Sequence, residues 1–282
     1  MKTKTERVGA PGLYGSTQTR RWPPEELESS WQQHAGRFVR HIKPACARAN
    51  RTQQPLEGPV TRRSLTLLGG LSYVVAVVQY FAAQLYAAAA WNPPYDWSGD
   101  YISDLGNTAC AMFAVPRGTP AYVCSPHHAV MNGAFVASGV LLITGTIALW
   151  RFWPARAATR IALAFLLISG CGKMLVGWVP ENGNIVLHSI GAFNMPVASV
   201  AILLISATLL HARRALAIIG LAAFVLGVIG TTLSVVAQFA GSSFLLGLGV
   251  GGMERLAGYP ANAWLLAAGL TTVAEVARSR SR

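Results

Sequence analysis

Six stretches of the chain, each 18–26 residues long, run with scarcely a charge among them. No other feature limits the possible folds so tightly, because about 20 helical residues cross a hydrocarbon core of ~30 Å. Inside lipid the backbone has to satisfy its own hydrogen bonds, so blocks of this length and polarity are helices. The stretches are Leu65–Ala90, Ala129–Trp150, Ile161–Val179, Ser189–Leu210, Ala215–Ala240 and Tyr259–Val276. The expected fold is an all-α integral membrane protein, a six-transmembrane-helix bundle over residues 64–278, preceded by a tail at 1–63. Composition agrees: 12% of residues are charged, against about 25% in a soluble domain.

Charge sets the expected orientation. The net charge is +12, which would suit nucleic acid if it were spread over one surface. Instead it is segregated. Arg62 and Arg63 precede the first stretch; Arg151, Arg156 and Arg160 join the second and third; Arg213 and Arg214 join the fourth and fifth; Arg278, Arg280 and Arg282 follow the sixth. With both termini cytoplasmic, these and the tail put 20 of 23 Lys and Arg residues inside, as the positive-inside rule requires. Arg117 and Arg255 fall outside, among Asp96, Asp100, Asp104, Glu181 and Glu254. The sequence therefore predicts a multi-pass protein of the cell membrane with lipids as partners and no nucleic acid.

The tail is a different polymer. Leu27, Trp31, Ala35, Phe38 and Ile42 recur at helical spacing beside Arg37, Arg40 and Lys43. The pattern fits a surface amphipathic helix around residues 24–43 on an anionic cytoplasmic leaflet, or a disordered arm. Small residues recur in the apolar stretches, including Gly139, Gly170, Gly220 and Gly227, and allow close helix approach in lipid. Pro196 should kink the fourth stretch. Cys110 and Cys124 share the outer loop, on the oxidising side, and are expected to pair; Cys46 and Cys171 have no evident partner. The glycines of Gly247–Gly252 read as a flexible loop.

Ionisable residues gather at the outer helix ends. Asp100, Ser103 and Asp104 share one loop; His127 and His128 open the second stretch; Glu181 follows the third; His188 opens the fourth; Glu254 and Arg255 precede the sixth. Lys173 lies inside the third stretch, roughly 10 Å below its outer end at 1.5 Å per residue. A lysine there costs about 2.5–3.5 kcal/mol and needs a partner or a wet cavity. It would reach Glu181, Glu254 or Asp104, or snorkel to the headgroups. Gln79, Gln84, Asn132, Asn194 and Gln238 would line the same cavity or join helices by hydrogen bonds.

Asp104, Glu181, His128 and His188 are the candidates for acid–base chemistry. Lys173, Glu254, Arg255, Ser103, Asp100 and Asn132 are the candidates for ligand contact. No cofactor is expected. His127, His128, His188 and Asp104 would suffice in type and number for zinc or another divalent ion, but no two are spaced one helical turn apart. Ser103 and Asp104 are also ordinary helix caps.

Four blocks carry a family resemblance: Ile102–Asn107 (Ile-Ser-Asp-Leu-Gly-Asn), Cys124–His128 (Cys-Ser-Pro-His-His), Val176–Asn182 with His188–Ala192, and Gly252–Arg255. Together they resemble the bacterial and archaeal membrane family called domain of unknown function 998, over about Leu65–Val276. The resemblance implies a six-helix polytopic protein with a polar outer cluster and no assigned activity. A fainter likeness to alkaline-ceramidase-type membrane hydrolases lacks their closely spaced His pair.

Three functions fit these residues. The first is a non-enzymatic protein whose outer pocket recognises a lipid headgroup or small anionic ligand, or organises partners. The second is an intramembrane lipid hydrolase or transferase. The third is a transporter, which would need a polar path from Lys173 to the cytoplasmic side.

Overall fold

The computed structural model describes residues 59–113 and 120–279. The tail with its expected helix at 24–43, and Arg117, Arg280 and Arg282, lie outside the described residues. The described elements are α1 (Pro59–Ala88), β1 (Ala111–Phe113), β2 (Ala121–Val123), α2 (His128–Ala148), α3 (Ala157–Trp178), α4 (Ile185–Ala192), α5 (Asn194–Leu209), α6 (Arg214–Ala240) and α7 (Gly249–Arg278). Single 3-10 turns occupy Ser103–Gly106 and Ser242–Leu245.

The helices form a closed ring. Sequence neighbours pack from α1 through α3, α3 meets α5, α5 meets α6, α6 meets α7, and α7 returns to α1. Small residues make the seams: Gly139 of α2 sits on the Gly170 carbonyl of α3, and Gly269 of α7 on the Gly70 carbonyl of α1. Such contacts bring backbones within van der Waals range where lipid supplies no hydrophobic drive. Four helices (α1, α2, α3, α6) and the α4–α5 pair are long and apolar enough to cross a membrane. The 30-residue α7 has the length of a span with a lower apolar density.

The two ends of the ring differ. At one, Arg63 donates to the Val276 carbonyl at 3.0 Å, Arg213 pairs with Glu275 at 2.9 Å, and Arg213 lies over the Phe152 ring. The neighbouring core is built on Trp153, Trp264, Leu163, Leu166, Ile202 and Ile205. At the other, residues 89–113 and 120–127 meet a second core that includes Trp91, Tyr95, Leu105, Met131 and Phe135. Cys110 and Cys124 are joined by a disulfide, just outside the two-stranded hairpin that pairs Ala111 with Val123.

Three local expectations change. The fourth stretch begins at Ile185 and is broken at Phe193 rather than merely kinked. Pro196 offers no N–H to the ladder, and Asn194 Nδ2 turns back to the Gly191 carbonyl at 2.8 Å. The glycines from Gly249 onward are the first turn of α7, not a loop. The connection between α1 and α2 carries a small antiparallel hairpin, an exception to the helices among the described residues.

Candidate functional site

The site begins with the loop segment Asp96–Asn107, which α7 receives. Gly251 and Gly252 donate their N–H groups to the Ser98 carbonyl at 2.8 and 3.3 Å. Arg255 donates to the Asp100 carbonyl at 3.0 Å and to the Tyr95 hydroxyl, and lies over the Trp97 ring at 4.9 Å. Tyr95 passes the bond on to the Tyr101 carbonyl at 2.8 Å; its burial raises its pKa. Asp96 accepts from the N–H and hydroxyl of Ser98, which holds its carboxyl below the usual range. Arg255 therefore clamps the loop.

The same holds for several other candidates. Asp104 is fully buried and accepts the Tyr101 N–H at 2.7 Å, just before the 3-10 turn. Asp100 accepts the Asp96 N–H at 2.9 Å. Asn132 donates to the Gly106 carbonyl at 2.8 Å. His128 Nδ1 bonds the Ser125 carbonyl at 3.0 Å, and His127 stacks on Tyr86. None of these, nor Arg255, lines the two cavities described next.

Thus positioned, the loop brings Ser103 to Glu181. The Ser103 hydroxyl donates to Glu181 Oε2 at 2.6 Å, with both residues buried. Glu254, one turn into α7, accepts the Ile102 N–H and lies within electrostatic reach of Glu181 and Asp104. His188 sits four residues past Asn184, whose side chain caps α4 through the Leu187 N–H at 3.1 Å. The ring's Nδ1 meets the Val179 carbonyl at 2.8 Å. A carbonyl only accepts, so Nδ1 carries the proton and Nε2 of the neutral ring is an acceptor.

Ser103, His188, Ala192, Met195 and Glu254 form a wall shared by two cavities. Inside the ring lies a chamber of about 40 Å³, room for roughly three waters. Lys173 is here, donating to Asn262 Oδ1 at 3.1 Å, with the Tyr80 ring 5.0 Å away. No carboxylate pairs with it among the described residues, which corrects the expected reach to Glu181, Glu254 or Asp104. On the far side of the wall is a cleft of about 390 Å³ between α4–α5 and α6. α6 is held to α5 lower down, where Gly220 and Gly227 rest on Ser206 and Ser199. Above that seam the helices part. Glu181 joins the cleft's polar end, Thr231, Ser234 and Gln238 form a stripe on α6, and Phe193, Met195, Pro196, Val235 and Phe239 supply apolar lining.

A family model described as "Protein of unknown function (DUF998)" matches residues 74–271. The chain belongs to the DUF998 family. No curated protein and no solved structure matches it. The DUF998 match starts within α1 and ends within α7, so the family unit coincides with the ring and both cavities.

For the zinc candidates, the DUF998 ring offers no gathering: among the described residues no three His, Cys, Asp or Glu side chains come together as a metal set. What it does offer is a hydroxyl–carboxylate pair, an imidazole acceptor and a second carboxyl group lining one cleft of about 390 Å³. Thr231 and Ser234 were not singled out from the sequence. Their signal was present, since Thr231, Ser234 and Gln238 are spaced i, i+3, i+7 on one helix face. Gln79 and Gln84 proved to join helices, through Ser138 at 2.6 Å and Tyr259 at 2.7 Å.

Proposed function

We propose that this DUF998 protein is a six-span protein of the cell membrane, with both termini cytoplasmic, that binds a lipid of the outer leaflet without chemically changing it. α7 supports the sixth span: it runs from the Ser98 carbonyl at one end of the ring to the Arg63 and Arg213 contacts at the other. The basic tail would rest on the anionic cytoplasmic leaflet. The observation that carries the lipid reading is the cleft itself. Its volume of about 390 Å³ falls within the ~300–1,000 Å³ of ligand sites. Its polar groups are confined to the loop end and one stripe, and its rim residues Phe193 and Phe239 are 65% and 86% exposed, facing where acyl chains would lie.

Among the described residues the alternative of a small anionic ligand loses its two expected donors, because Arg255 is bound to the loop and Lys173 lies behind the shared wall. Transport finds no polar path among the described residues. Below Lys173 the chamber is bounded by Leu142, Ala198, Ala261 and Leu265, and the adjoining core is packed with Trp264, Ile202 and Ile205. Hydrolysis keeps one specific point in its favour: Ser103 already donates to Glu181 at 2.6 Å, so the carboxylate would take its proton during attack on a lipid ester.

The test is lipid retention. Purified protein is expected to carry lipid through detergent extraction, read by native mass spectrometry. Val235→Trp, which fills the cleft from α6, should release it while the circular dichroism spectrum stays unchanged. Wild-type protein stripped of lipid under the same conditions would refute the reading. Fatty acid released from bound lipid by wild type, and not by Ser103→Ala, would replace it with hydrolysis.

A further inference from the structure

Resting on the lipid reading above, we infer that the lipid in the cleft carries an uncharged, hydroxyl-rich headgroup, that of a glycosyl lipid, and that this headgroup extends into a small polar recess beside the cleft. The recess holds about 60 Å³, and its polar lining is Tyr101, Ser234, Gln238 and Ser242. Tyr101, Ser234 and Gln238 also line the cleft, so the two spaces share a wall of neutral polar side chains. The recess is built where α6 ends. Gly241 adopts φ +104°, a conformation glycine takes without steric cost. The turn Ser242–Leu245 follows directly, and its Leu245 is buried.

The lining selects hydroxyls over charge. Phosphate recognition draws on Arg or Lys, and among the described residues neither lines the cleft or the recess. The two acids at the cleft end already accept from neutral donors, the Ser103 hydroxyl on Glu181 and the Ile102 N–H on Glu254. They ask for no cation. The recess makes the choice independently of those acids. Ser, Tyr and Gln side chains each donate and accept, the same double capacity as a sugar hydroxyl. A phosphodiester only accepts, and an ammonium only donates. The volume is room for about four waters, and ligand hydroxyls that displace ordered water keep affinity by reproducing its hydrogen bonds. A diacylglycerol, with one hydroxyl, would leave most of that wall to water.

The experiment uses full-length protein in phosphatidylcholine nanodiscs doped with equal parts of glucosyl diacylglycerol, diacylglycerol, phosphatidylethanolamine and phosphatidylglycerol, all with identical acyl chains. Retained lipid is read by native mass spectrometry. Glucosyl diacylglycerol should exceed each of the other three about tenfold, the effect of one or two net hydrogen bonds. The double variant Ser234→Ala, Gln238→Leu keeps the apolar cleft and removes the shared polar wall, and should retain glucosyl diacylglycerol and diacylglycerol equally. Glucose added alone should leave the retained glycolipid in place; its displacement would overturn the lipid-borne headgroup in favour of a free sugar. Equal or greater retention of diacylglycerol or of either phospholipid by wild type would overturn the glycosyl assignment and leave lipid binding standing. Retention of no lipid at all would refute both. Where the double variant does not fold, the wild-type comparison of glucosyl diacylglycerol with diacylglycerol decides.

Discussion

Arg255 and Lys173 are both largely shielded cations, and their surroundings assign them opposite roles. Arg255 makes two hydrogen bonds to the loop between α1 and α2 and lies over two rings. Lys173 has one neutral amide partner and one ring face. Removing Arg255 leaves the Asp100 carbonyl and Tyr95 short of a charged donor, a loss of about 1.5–3 kcal/mol per bond. Arg255→Ala should therefore lower the melting temperature in detergent and make the 91–113 segment sensitive to protease. Lys173→Met keeps the volume and removes a charge that costs about 2.5–3.5 kcal/mol to insert. Its melting temperature should hold or rise; a fall of several degrees would show that the ammonium holds a stabilising partner. The candidate residues themselves were legible because ionisable groups are rare in apolar sequence. Their pairing was not. Ser103 and Glu181 are 78 residues apart, and Arg255, the expected anion ligand, is diverted by the Asp100 carbonyl and Tyr95, whose placement depends on how the loop folds.

At the scale of elements, span positions followed from block length, whereas helix ends did not. Gly249–Gly252 has the composition of a loop, because glycine is the poorest helix former after proline. Tertiary contact overrides that preference. A Cβ on Gly251 would collide with the Asp100 carbonyl, and Gly249 adopts φ +71° against the Ser98 carbonyl. The glycines are there so that the loop can dock on α7. Gly251→Val should undock it at a cost of about 1–3 kcal/mol, as overpacking does elsewhere, with faster amide exchange from Asp96 to Asn107. The break at Phe193 was foreshadowed by Pro196, but the α4 start at Ile185 depends on the Asn184 cap, which lies outside the apolar block and carries no hydropathy signal.

For the whole molecule, the arginine-rich end and the disulfide end make the orientation testable. Single cysteines at Ala155 and Gly183 are both exposed and lie at opposite ends of α3. With Cys46 and Cys171 replaced, a membrane-impermeant maleimide added to intact cells should label Gly183→Cys and spare Ala155→Cys until the cells are opened. The reverse pattern would invert the protein and move the cleft to the cytoplasmic leaflet.

Because α7 packs on both α1 and α6, it acts as the clasp of the ring. During biogenesis the earlier helices can enter the bilayer in order, yet the α1 and α6 flanks stay bare until α7 leaves the ribosome. A chain cut before Gly249 would keep four of the six seams and lose the closure, with Gly70 on α1 left uncovered. Two such defective copies, or one supplied with α7 as a separate peptide, offer a vacant slot of known shape. Complementation in trans by residues 249–279 is the outcome this architecture demands.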